Sequence, residues 1–395
     1  MNRGRLILVL VSLAVGQAVP CYPAPQDGQQ QSRPFTPGTC GRVDPTYIRT
    51  AEATGGMPMF LQPSEMAAAG HLMRATASSS SDALLYATAH LGGQTRTYTV
   101  PIDSTVQRVT FSLSFDAPGT KMSLQRPSGS AIVAGSGVEI SEWTCGRIVT
   151  VDSPEKGAWR IELSGTGRFW LRVEVKSELY LLTAGFMYLG GRPGHEGYFR
   201  IPGQPLLGRP QLLRVTMSGK LQSADFRLVS PAGETIQPIH LESGSSSDDD
   251  REYMGTVALP PQPFRVAISG HDEDGLPFER RYLTQFHATT VQIQAPDIPD
   301  EVAAGSTTPL TFMVNNYGPS DTFRILVVSS TGAILPTQPA QLTIDENASA
   351  QCAVPLTAPA DPRAGTRITL TVTATSLTNP DTMNSMVVEL SVVSK

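Results

Sequence analysis

Leu124–Gly129 reads LQRPSG, within residues 121–133, KMSLQRPSGSAIV, and the same shape returns twice. Residues 225–236 read DFRLVSPAGETI, with Leu228–Gly233 in the same frame. Residues 325–335 read ILVVSSTGAIL, with Val327–Gly332 in frame and Ser330 where the earlier copies have Pro127 and Pro231. Each copy is a short apolar run ending in a turn tripeptide, in which Pro presets φ and Gly admits the reversal. The flanks recur in the same order: TFSL, VTMS and TFMV before the turn, then WRIELSG, FRVAISG and TRITLTV after it. Turn glycines about 100 residues apart match the length of a β-sandwich domain. The repeat therefore predicts three tandem sandwiches.

Composition agrees. The 395 residues are rich in Val, Thr, Ser, Gly and Pro and only 16% charged, which favours short strands and turns over helices. Residues 1–18, MNRGRLILVLVSLAVGQA, carry a basic start, an apolar run and small residues, the pattern of a secretory signal peptide cleaved after Ala18. The apolar run is too short to span a bilayer, and no later stretch is long and apolar enough. Removing Arg3 and Arg5 with that leader leaves 28 basic against 35 acidic residues, a net charge of −7, which disfavours nucleic acid.

Four cysteines are then expected in an oxidising compartment. Cys21–Cys40 would close a loop across the Pro/Gln-rich segment; Cys40–Cys145 is the alternative, and spacing does not choose. Cys145 and Cys352 fit two unpaired thiols as well as a bridge.

Residues 19–43 read as an extended Pro/Gln-rich segment. In residues 44–92, Asp44 and Pro45 start a short helix through Ala53, Gly55-Gly56 end it, MPMFL is a strand, and Ser64 caps a second helix to about Thr76. Two helices around one strand cannot close a core, so this part is expected to be loosely held or to lean on the first sandwich. A Ser-rich linker follows, and ALLYATAHL fits a helix or a strand. The first sandwich is expected over 93–188, the second over 189–291 and the third over 292–395.

With these units laid out, the chain resembles the hemicentins and von Willebrand factor A domain-containing protein 7, in which an A domain precedes β-sandwich modules. YTVPIDSTVQRVTFSLS, RPSG and SPEKGAWRIELSGTGRFWLRV resemble the galactose-binding-like module that follows the A domain. FRVAISGHDEDGLPFERR resembles a segment of the next module, with Gly270, Asp272, Asp274, Phe278 and Arg280 in the family's pattern. The third unit resembles the immunoglobulin-like module of the protein 7 group, and AEATGGMPMF with the helix after Ser64 resembles the last strand and helix of an A domain. The resemblance implies a mainly β fold with a short helical A-domain remnant. The A domain's DxSxS metal loop does not occur here, because Asp103-Ser104-Thr105 is followed by Val106 and Gln107. The family's metal-dependent ligand site is therefore expected to be missing.

Enzyme constellations are not found. The six histidines are scattered, there is no G-x-S-x-G, and His195-Glu196 lacks a second metal-spaced histidine. Asp272 and Asp274 alternate as calcium ligands do, yet a polar hairpin tip explains GHDEDG more simply. Trp159 and Trp170 sit in alternating strands and read as core, leaving Trp143 as an exposed platform for a sugar ring. Asn347-Ala348-Ser349 is an N-glycosylation sequon. The expectation is a secreted, non-enzymatic interaction or scaffold protein without cofactors, whose partners are extracellular proteins or matrix components and glycans. The competing reading is a carbohydrate- or calcium-dependent binding module.

Overall fold

The computed structural model describes residues 8–10, 40, 45–65, 81–192, 194–246, 250–329, 333–336, 339–361 and 366–393. The architecture is mainly β, in three sandwiches, each around its own apolar core. The recurrent order seen in the sequence is a recurrent pairing. In one sheet of each unit, Arg108–Phe115 pairs with Gly146–Asp152, Gln211–Ser218 with Asp250–Val257, and Thr307–Asn316 with Ala348–Thr357. In the facing sheet, Lys121–Gln125 pairs with Gly157–Ser164, Leu221–Val229 with Arg265–Asp272, and Asp321–Ser329 with Arg367–Ser376. All six pairings are antiparallel.

The turn that marks the repeat forms as its residues dictate. Gly129 (φ 81°) donates its N–H to Arg126 O, and Gly233 (φ 88°) donates to Ser230 O, both at 2.9 Å. In the second sandwich this closes a hairpin with Thr235–Ile239, whereas in the first only the bridge Gln125–Ala131 forms. The third copy, Ser330–Gly332, lies outside the described residues, as do the expected second helix beyond Glu65, Cys21 and most of residues 1–43. Within the leader, Leu8–Leu10 lies antiparallel to Met57–Met59, a pairing that cleavage after Ala18 would remove.

ALLYATAHL is a strand. Ser81–Gly92 pairs along its length with Thr166–Lys176 in the first sandwich, inside the stretch expected to be remnant and linker. Tyr180–Arg192 likewise pairs with Gln211–Ser218 in the second sandwich, not the first. The apolar cores divide between Val175 and Leu179 for the same reason. The first core packs Trp159 and Trp170 at full burial, with Trp159 stacked on Phe111 at 5.4 Å, as expected for alternating strands.

The first two sandwiches share a sheet of nine strands, joined where Arg281 of Pro277–Arg281 registers with Ala83. The third meets the second through Asn384, which is 1% exposed, accepts from Gln204 N at 2.7 Å and donates to Val291 O at 2.9 Å. Inside the third, Glu301–Ala303 runs parallel to Ser391–Val393.

Candidate functional site

The segment FRVAISGHDEDGLPFERR, the best candidate for polar chemistry, forms the seam between the first and second sandwiches. Gly270 registers opposite Phe278, and a Cβ at position 270 would lie 1.9 Å from Ser223 O, so only glycine lets the neighbouring strand approach. Arg280 is fully buried. Its Nη1 donates to Asp103 Oδ2 at 2.8 Å, its Nη2 to Ser177 Oγ at 2.7 Å and its Nε to Leu179 O at 2.8 Å. Asp103 belongs to the first sandwich, so the ion pair crosses the seam. Asp82 lies 3.5 Å from Arg280 Nε and accepts from Leu181 N at 2.6 Å; burial pushes its carboxyl up to about 6, which Arg280 only partly offsets.

Asp272 turns its carboxylate to donors of the protein itself. It is fully buried, and its two oxygens accept from Ser104 N and Oγ (2.8 and 2.6 Å) and from Asp274 N and Leu276 N (3.0 and 2.8 Å). Burial raises its carboxyl, but these four donors outweigh burial and leave it below the usual carboxylate range. A carboxylate so occupied has no lone pair turned to a cation. Asp274 contributes its backbone N–H and keeps its side chain exposed. Among the described residues, no group of three His, Cys, Asp or Glu is placed to hold a metal.

The helix Pro45–Ala53 and strand Met57–Met59 lean on the same seam. Glu52 Oε1 accepts from Arg168 Nη2 at 2.6 Å and Trp170 Nε1 at 2.7 Å. Tyr86 Oη donates to Gly56 O and Arg172 Nη1 to Gly55 O, at 2.9 and 3.1 Å. Arg265 of the second sandwich, fully buried over the Tyr86 ring at 4.1 Å, donates Nη2 to Glu52 O. Gly55 (φ 74°) ends the helix, and a Cβ there would meet Leu283 Cβ at 2.6 Å. Glu65, beyond the strand, accepts from Thr144 N and Oγ1 at 2.7 and 2.5 Å.

Cys40 is bonded to Cys145, with Cα atoms 5.4 Å apart, so of the two pairings left open by the sequence the one formed is not Cys21–Cys40 but the one that fastens this arm to the first sandwich. Cys352 is a buried free thiol.

Trp143 is not an exposed platform. At 8% exposure it belongs to the first core, folded over Gly146, where a Cβ would lie 2.1 Å from its ring. The register that sets Trp143 opposite Gly146 at this tight hairpin, with Cys145 tethered, turns the ring inward. Beside it a cleft of about 560 Å³ opens between the two sheets, lined among others by Lys121, Ser123, Glu142, Arg147 and Glu162. Arg147 is held there by Glu142 Oε1 at 2.8 Å and by Met122 O at 2.9 Å. Asn347 is exposed, in the left-handed region (φ 55°), in the tight turn that carries the chain from Ala340–Ile344 in one sheet to Ala348–Thr357 in the other.

The sequence reading missed Asp103, Arg265 and Glu52. Their one signal was PFERR, where Glu279, Arg280 and Arg281 put charge on both faces of a strand. Such a strand needs partners on both sides, and all three residues are buried here.

Residues 83–178 match the family model described as hemicentin galactose-binding domain-like, and residues 290–394 match the VWA7 Ig-like domain. Hemicentin-1 of Mus musculus and of Homo sapiens are each 25% identical over 221 residues, 54% of this chain and 4% of the relative. The chain thus spans a small part of the curated relatives it matches. Among solved structures, Escherichia coli alpha-2-macroglobulin activated by porcine elastase is 10% identical, covers 80% of this chain and 33% of that one, and superposes with a TM-score of 0.25, too loosely to carry anything across. The resemblance read from RPSG and its flanks therefore holds for the first and third sandwiches. The first match begins at Ala83, inside the strand that the fold assigns to the first sandwich. An A-domain origin for residues 45–65 is not reached by either match.

Proposed function

We propose that the chain is a secreted, non-enzymatic interaction or scaffold protein of the extracellular space, binding proteins or matrix components. The observation that carries this reading is the use made of its buried polar groups. Buried Asp103, Asp272, Arg280 and Arg265 and half-buried Glu52 each make at least one hydrogen bond to another part of the protein, fastening modules and arm together. Groups spent on fixing geometry favour a rigid spacer presenting surface loops and edges. The matches to hemicentin and VWA7 modules support the same role, and the basic-apolar leader supports secretion. Expression with the native N-terminus should place the chain in the medium with cleavage after Ala18, and affinity capture from extracellular fluid should then enrich matrix or surface proteins. A chain retained with its leader, or a bait that enriches nothing over an inert sandwich control, would sink this reading.

A second reading rests on the cleft beside Trp143. Its Ser, Lys, Arg and Glu lining suits a small hydroxylated ligand such as a sugar. Glycan-array binding lost on Arg147→Ala would support it; an array without signal would end it.

A further inference from the structure

His195–Arg200, HEGYFR, is the outer strand of the second sandwich's five-stranded sheet. It pairs with Tyr180–Arg192, and among the described residues no strand occupies its other edge. Natural edge strands are guarded by charged side chains, Pro, bulges or coverings. This one has no Pro and an unbroken register, and its Glu196 and Arg200 are of opposite sign, so they do not by themselves repel a second copy. Apolar side chains on the hairpin face solvent: Tyr188 is 48% exposed, Leu189 66%, Tyr198 51% and Phe199 45%.

The direction of the backbone groups follows from one bond. Ile201 N donates to Phe186 O at 2.9 Å, so residue 201 and, by alternation, 199, 197 and 195 turn their N–H and C=O inward to Tyr180–Arg192. Glu196, Tyr198 and Arg200 therefore present theirs to the open edge.

We propose that this edge pairs with the same edge of a second copy of the chain, antiparallel, about a two-fold axis through Tyr198. In that register the outward groups of Tyr198 meet those of Tyr198 in the second copy, and Glu196 faces Arg200 of the second copy, once on each side of the axis. Opposite charges directly across a ladder are favourable. Gly197 faces Phe199 of the second copy, so each ring covers a residue without a side chain. Centring the axis on Glu196 or on Arg200 would oppose like charges, and centring it on Gly197 would leave both charges without a counterpart. The charges thus select one self-complementary register, which is what an isologous interface requires. In the single chain Arg200 lies back over Gly185, its Nη2 donating to Ala184 O at 3.0 Å and Tyr282 Oη at 3.3 Å, so pairing requires the exposed side chain to swing out to Glu196 of the second copy. This inference goes beyond the scaffold role and does not rest on it: it needs no extracellular ligand.

The test is sedimentation velocity on the full chain, at concentrations up to about 100 μM. A concentration-dependent dimer is expected, and a monomer throughout would overturn the proposal, including if the edge serves a strand of some other protein. Tyr198→Pro removes an N–H that points outward, so the inner ladder survives and the variant should fold and be monomeric. Glu196→Arg sets like charges across the axis and should weaken the dimer about tenfold or more. Adding Arg200→Glu restores opposite charges and should restore pairing. Under mild oxidant Tyr198→Cys should give a disulfide-linked dimer, and Leu182→Cys, exposed elsewhere on the same sheet, should not. A dimer indifferent to both Tyr198→Pro and Glu196→Arg would place the contact elsewhere and overturn the proposal.

Discussion

Arg280 and Asp103, one from each of the first two sandwiches, form an ion pair at 2.8 Å with neither side chain exposed to solvent. Arg280→Ala would leave the Asp103 side chain buried without its ion-pair partner, a loss of roughly 3–5 kcal/mol for a broken buried pair. Differential scanning calorimetry should show the joint melting of the two sandwiches shift down and separate into two transitions. A single unshifted transition would mean the seam is not held by this pair. Replacing both residues by apolar ones should restore part of the loss.

A pH dependence follows from Asp82, whose carboxyl burial pushes up to about 6. A folded value above the unfolded one means the native state binds the proton first. The stability linked to this group is complete at low pH and falls as pH rises through 6. Asp82→Asn lacks the titration. It should exceed the wild type by up to roughly 3 kcal/mol near pH 8 and equal it near pH 4. Urea melts of both chains across that range measure the difference, and a gap that does not change with pH would contradict the buried charge.

The Cys40–Cys145 bridge spans 105 residues of sequence. In the chain-entropy account, a loop of that size is worth about 4–5 kcal/mol. Cys145→Ser should lower the denaturant midpoint accordingly, while Cys352→Ser, which removes a free thiol, should change it far less. Equal effects of the two variants would argue against the bridge.

The helix–strand arm should be as protected as the strands it lies on. Amides of residues 48–60 are expected to exchange at rates close to those of Thr166–Lys176. Gly55→Ala, which forces a side chain at φ 74° against Leu283, should release the arm selectively. Fast exchange of the arm in the unaltered chain would show its buried bonds to be transient in solution.

Asn347 is exposed in the turn between the two sheets of the third sandwich. Expression in a glycosylating host should give a mobility shift that glycosidase removes and Asn347→Gln abolishes. The absence of a shift in secreted chain would leave the sequon unused.

The repeat was legible because it is written in local chemistry. A Pro-x-Gly turn and the period-two strands around it depend on neighbours in sequence, and Gly129 and Gly233 adopt the positive φ the turn requires. Module boundaries were less legible, since Ser81–Gly92 and Tyr180–Arg192 are strands whose owner is decided by pairing across the seam. The candidate site was least legible. Alternating carboxylates at Asp272 and Asp274 look alike whether they face a cation or, as at Asp272, two N–H donors of their own hairpin and the N–H and O–H of the distant Ser104. Trp143 was misjudged for a similar reason: its inward turn depends on Gly146 and on the tether at Cys145, neither visible as a pattern.

The parallel pairing of Glu301–Ala303 with Ser391–Val393 has a mechanical meaning. These are the second strand and the final described strand of the third sandwich, and they point the same way. A tensile load pulling residue 301 backward and residue 393 forward slides one strand along the other. Their hydrogen bonds are then strained together and not opened one after another, as happens when a hairpin is peeled from its end. Once the short strand Val291–Gln294 has detached, the third sandwich meets extension in its stiffer direction.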